Sequence, residues 1–245
     1  MINLFILNVS LLVSATVLYT IIIRRWKKGS HLYALLSGLL FGVVAVLGMI
    51  MPVVLEPGII FDGRSIIHSI AGLFGGPYTA LVALIISSLY RLMIGGSGTV
   101  VGIFTIIQAS AFGVLFHYLI IHKRLNLSTQ NLVIFSTLVN LVMLISFTFV
   151  PGMTFRLVLN QLALPIIVIY PITTLIIAYI IISEEKQIET EKELLEKERR
   201  LIKTQELAHI GSWEYKVVND QLQWSDEVYR IFGVDDSNYK PSYAA

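Results

Sequence analysis

Residues 61–98 read FDGRSIIHSIAGLFGGPYTALVALIISSLYRLMIGGSG, an apolar stretch that carries two arginines, Arg64 and Arg91, placed about a Gly75-Gly76-Pro77 break. The rest of the chain sets the medium. Of 245 residues 56% are hydrophobic and only 14% charged, with a mean hydropathy of +0.77, whereas soluble domains carry about 25% charged residues. Most of the chain therefore belongs in lipid. A guanidinium cannot shed its proton, and holding one in hydrocarbon costs several kcal/mol unless it snorkels, pairs with an acid or faces a polar cavity. Two of them at one depth make a site for a small anion.

Positive charge and parity decide how the stretch is folded. Clear membrane-length runs are Ile2 to Ile23, Leu32 to Leu55, Gly98 to Ile121, Leu132 to Val150 and Leu157 to Ile182, each near the ~20 residues a crossing needs. Arg24, Arg25, Lys27 and Lys28 mark one cytoplasmic loop, and His122, Lys123 and Arg124 a second. Even parity between them requires residues 59–94 to supply zero or two crossings. A single helix fails. Splitting at the glycines gives helices 61–74 and 77–94, and an all-α polytopic protein of about seven spans with its N-terminus outside. Helix 61–74 is short, about 21 Å at 1.5 Å per residue, and needs shielding by neighbours or a thinned bilayer. A re-entrant pair of half-helices is the alternative, and it also brings the arginines together.

With the turn on the cytoplasmic side, Arg64 and Arg91 lie roughly 16 and 21 Å of helix rise from it, at one level near the outer leaflet. The next turn, Gly95-Gly96-Ser97-Gly98, opens helix 98–121, whose first N–H groups and positive dipole end favour an anion. Two structural readings compete: both arginines anchor helix ends at headgroups, or Arg64 pairs locally with Asp62 or Glu56, residues placed on the external side.

Phe61-Asp62-Gly63-Arg64-Ser65, Gly72-Leu73-Phe74-Gly75-Gly76-Pro77, Tyr90-Arg91-Leu92 and Gly95-Gly96, in that order, together resemble the LytS-type five-transmembrane receptor domain, a membrane sensor found ahead of PAS, histidine kinase or diguanylate cyclase modules. The resemblance covers residues 32–182, with residues 1–31 as a leading helix and basic loop. The glycine turn is also similar to one in substrate-binding S components of vitamin transporters, which implies an S-component-like helical bundle. Family membership implies signal reception, and some relatives respond to pyruvate or similar small carboxylates. The resemblance makes Arg64 and Arg91 ligand contacts and puts Gly102 and Thr105 at pocket positions. Gly102 brings no side-chain donor, so the ligand differs or is held differently.

Other polar residues in the spans have two readings each. His68, one turn after Arg64, lines the same pocket or is a satisfied structural histidine. Gln108 and Asn140, near mid-bilayer, are explained by interhelical hydrogen bonds. Arg156, Asn160 and Gln161 rim a cavity or anchor a helix end. Pro165 and Pro171 suggest kinks in the last span. The five histidines are dispersed and cysteine is absent, so no metal site is expected and thiolate chemistry is excluded. The net charge of +2 carries no basic patch interleaved with aromatics, and nucleic acid is not expected as a partner.

From Ser183 the chain turns polar. Residues 183–206 mix Glu with Lys and Arg around Ile188, Leu195, Ile202 and Leu194, Leu201, Ala208, rows repeating every seven residues. They form a weak dimeric coiled coil or a solvated single helix, because Glu191, Glu198 and Gln205 spoil the seam. Residues 207–245, with Gly211-Ser212-Trp213-Glu214, a turn at Asn219-Asp220 and Ser225 as N-cap of helix 225–232, resemble the opening of an α+β PAS domain. Trp213, Trp224, Tyr229 and Phe232 should pack a core too small to stand alone, so this segment is expected to be only partly folded and the chain to be a truncation. No phosphate loop, kinase histidine box or cyclase signature is present, and no cofactor is implied. The leading expectation is the input part of a sensor histidine kinase in the plasma membrane, C-terminus cytoplasmic. A diguanylate cyclase input domain and an S-component-like transporter are the alternatives.

Overall fold

The computed structural model describes residues 2–56, 59–150, 164–235 and 239–242, with the side chains of 2–9, 53–56, 59 and 165 outside the description. Two compact units result, residues 1–185 and 186–245. The first is built from α1 (Ile2–Arg25), α2 (His31–Ile50), a small hairpin of β1 (Val53–Glu56) and β2 (Ile59–Phe61), α3 (Arg64–Ile94), α4 (Thr99–Ile121), α5 (Thr129–Phe147), a π-helical turn (Pro165–Ile169) and the first part of α6 (Tyr170–Leu207). Among the described residues five helices are long and apolar enough to cross a membrane: α2, α3, α4, α5 and α6 with the turn before it. Large apolar side chains spaced a turn apart, such as Leu35, Leu39, Val43 and Leu47 on α2, remain exposed. Stripes of that kind suit lipid rather than water.

The 31 residues of α3 are not one rod. Gly76 has φ 79° and ψ −173°, a conformation essentially reserved for glycine, and Pro77 follows it without an N–H to continue the ladder. A straight helix would separate Arg64 from Arg91 by about 40 Å. Instead both side chains reach Gly102 of α4, so segments 64–75 and 77–94 double back on each other. Counting them apart, the described residues of the bundle form seven rods.

The short segment survives because nothing of it meets lipid. Every residue from Arg64 to Phe74 is buried, which supplies the shielding that a helix of twelve residues needs. Its backbone lies directly on α4: a Cβ on Gly113 would sit 2.4 Å from Ser69 O, and one on Gly72 would sit 2.8 Å from Val114 N. Small residues permit this approach, and close packing replaces the hydrophobic drive that lipid removes. His117 of α4 closes the far end, its Nδ1 lying 2.8 Å from the Leu73 carbonyl beside the Gly76 bend.

Several boundaries differ from expectation. α2 stops at Ile50 rather than Leu55, because Pro52 disfavours helical geometry at Met51. The β-branched Val53, Val54, Ile59 and Ile60 then pair as an antiparallel hairpin. Pro171 imposes the π-helical turn before α6, because its ring cannot fit over the carbonyl four residues back. Among the described residues Asn140 does not bridge helices. Its amide donates back to Ser136 O and Oγ of its own helix, whereas Gln108 does cross, to Val139 O at 3.4 Å. Arg156, Asn160 and Gln161 lie outside the described residues, as does the Glu56 side chain. At the end of the bundle remote from the hairpin, Arg24 pairs with Glu184 at 2.9 Å and Lys28 with Glu185 at 2.6 Å.

The second unit begins within α6, where Leu194, Leu195, Leu201 and Ile202 are all exposed. After α6 come β3 (Trp213–Lys216), β4 (Gln221–Trp224) and α7 (Asp226–Phe232), the strands paired with Trp213 opposite Trp224. Trp224 stacks on Phe232 and leans on Tyr229, yet Trp213 and Phe232 stay 65% and 66% exposed. Ser225 occupies the N-cap position but makes no cap bond. Its hydroxyl is already taken, accepting from Ser212 N at 3.0 Å.

Candidate ligand-binding site

The chain reversal at Gly76 places the start of α3, the end of its second half and the first turn of α4 side by side. An ideal Cβ on Gly102 would lie 2.6 Å from Arg91 Nε and 3.2 Å from Arg64 Nη1. The two arginines therefore meet over a glycine that leaves room for them, and any larger residue there would displace one. Arg64 is 4% exposed and Arg91 1%, which rules out headgroup anchoring for both.

Each guanidinium is held by groups from this end of the bundle. Arg64 Nε lies 3.1 Å from Asp62 Oδ1, Nη2 donates to Ile60 O of β2 at 3.1 Å, and among the described residues the one hydrogen-bonding contact of Nη1 is the thioether of Met49 at 3.5 Å. Arg91 Nη1 donates to Gly95 O at 2.9 Å. The local pairing of Arg64 with Asp62 is thus real and coexists with the arginine cluster. Asp62, expected at the external surface, is instead buried at 3% exposure. It is fixed there because its Oδ1 also accepts from Arg64 N and its carbonyl accepts from Tyr170 Oη at 2.7 Å.

The remaining expected positions divide. Thr105, buried one turn beyond Gly102, donates its hydroxyl to Gly102 O at 2.8 Å, a bond to its own helix. His68 is fully buried between α3 and α4, with Nδ1 3.4 Å from Ser110 Oγ. Ser97 is exposed in the turn before α4. Asp62 and Tyr170 are the members that sequence reasoning left out of the site. Tyr170 also stacks on Phe61, rings 5.2 Å apart, and tyrosine near a span end ordinarily signals only an interfacial anchor.

Buried arginines converging at one end of a helical bundle, over a glycine contact, define a polytopic membrane protein with a polar site inside its transmembrane core. A family model described as 5TMR of 5TMR-LYT matches residues 16–184, and the chain belongs to that family of LytS-type five-transmembrane receptor domains. It is a membrane sensory input domain. No curated protein and no solved structure matches the chain.

Proposed function

We propose that this chain binds a small carboxylate between Arg64 and Arg91 and passes the event through α6 to output modules. The observation that carries the reading is the convergence of both guanidinium groups on Gly102. Two permanent cations, able to make bidentate contacts, suit a carboxylate, and the first turn of α4 adds a positive dipole end. Pyruvate sets the size of the first acids to try, given the class of ligands that the resemblance implies. The basic clusters at residues 24–28 and 122–124 support a cytoplasmic C-terminus. The heptad rows of residues 183–206 support a homodimer, and the hairpin with helix after Ser212 supports a PAS start. A histidine kinase is the output this arrangement serves best, with the diguanylate cyclase as the other possibility.

Calorimetric titration of the full chain in nanodiscs with small carboxylates tests the reading. Arg91→Gln, which keeps a polar side chain and removes the charge, is expected to weaken binding by about tenfold or more, since hydrogen bonds to charged groups contribute roughly 1.5–3 kcal/mol. Unchanged affinity in this variant would overturn the assignment.

A further inference from the structure

The arginine pair does not stand alone in its layer, and the atoms around it restrict the acid it can take. Asp62 Oδ1 is committed to Arg64. Asp62 Oδ2, buried like the rest of the side chain, accepts no hydrogen bond among the described residues. An ionised carboxylate is an acceptor only, and a buried acceptor left without a donor carries its full desolvation penalty. On the other side of the same ion pair, Arg64 Nε and Nη2 are engaged by Asp62 and Ile60, while among the described residues Nη1 meets only a weak sulfur acceptor and points to Gly102, beside Arg91 Nε. The site therefore presents donors at Nη1 and an unsatisfied acceptor on the carboxylate attached to the same guanidinium. A plain monocarboxylate can answer the donors and not the acceptor.

We infer that the acid recognised here carries a hydrogen-bond donor next to its carboxylate, as an α-hydroxy or α-amino acid does, with the carboxylate on Arg64 Nη1 and Arg91 and the donor on Asp62 Oδ2. This rests on the proposed carboxylate site and narrows its ligand class. An α-oxo acid offers a second acceptor in place of the donor and is disfavoured. Ser65 Oγ and His68 Nε2, both fully buried and also without partners among the described residues, lie on the adjoining turn of α3. Either can donate or accept, so they tolerate both kinds of substituent and do not discriminate.

Propionate, lactate, alanine and pyruvate share a three-carbon frame and differ at one position, so they form the probe set. Titrated against the full chain in nanodiscs, lactate or alanine is expected to bind at least about tenfold tighter than propionate and pyruvate, the discrimination of one hydrogen bond to a buried charged acceptor. In Asp62→Asn the preference should shrink to about threefold or less on the same scale, whatever happens to the affinity that the four acids share. Equal affinities across the wild-type set would overturn the inference and leave the carboxylate site standing. A preference that persists in Asp62→Asn would reassign the acceptor and overturn it as well. Failure of all four acids to bind would remove the carboxylate site itself. The wild-type comparison decides the matter even if the variant does not fold.

Discussion

Replacing Arg64 with alanine is expected to destabilise the bundle by about 3–5 kcal/mol, the range for breaking a buried ion pair from one side. The loss is large because Asp62 is left with its charge buried and its Oδ1 deprived of the Nε contact. Ile60 O also loses its donor from Arg64 Nη2. The pair itself is not the source of stability. A buried ion pair and neutral residues of similar volume are often equivalent, so the double variant Asp62→Asn with Arg64→Met should recover most of the loss. Unfolding of detergent-solubilised protein by denaturant would measure both. The double variant is folded and unable to bind carboxylate if the proposed site is correct, which separates architecture from recognition. A single Arg64→Ala variant as stable as the wild type would show that Asp62 is hydrated in place.

The second large effect is expected at the bend. Gly76→Ala should cost about 1–3 kcal/mol from backbone strain alone, because φ is 79° with ψ near −173°. The new Cβ would add to this, lying 2.9 Å from His117 Nε2. The ring cannot retreat without giving up the Leu73 carbonyl, so the far end of the segment 64–75 loosens together with the turn. Gly95 provides the comparison. It too has positive φ, at 70°, but nothing lies within 4 Å of its Cβ position. Gly95→Ala should therefore show strain without the clash and be the milder variant in the same unfolding assay. Equal losses at the two glycines would mean that His117 moves freely.

The reversal at Gly76 was legible because charge parity forbids a single helix between the two basic loops, and Gly-Gly-Pro offers one place to turn. The meeting of Arg64 with Arg91 followed from comparable helix rise on either side of that turn. Gly102 was reached by resemblance, and the structure gives it a steric reason. Asp62 was misjudged: an Asp-Gly pair after an apolar run looks like a solvated turn, and its burial depends on Tyr170, 108 residues away. The β1–β2 hairpin was hidden because Val53 and Val54 simply prolong the apolar run of α2. Asn140 shows a further limit. Hydropathy places an amide at mid-bilayer, but its partner depends on rotamer, and Ser136 one turn back competes with the neighbouring helix.

The complete enclosure of residues 64–74 bears on how such a protein is made. An eleven-residue segment holding a cation and a histidine has no reason to leave the translocon for lipid by itself. Its main packing partners are α2 and α4, and α4 is synthesised after it. The recognition site is then a late product of biogenesis, completed when the following helices arrive to receive it. Chains interrupted before α4 would lack a receptor although most of the arginine chemistry had already been translated.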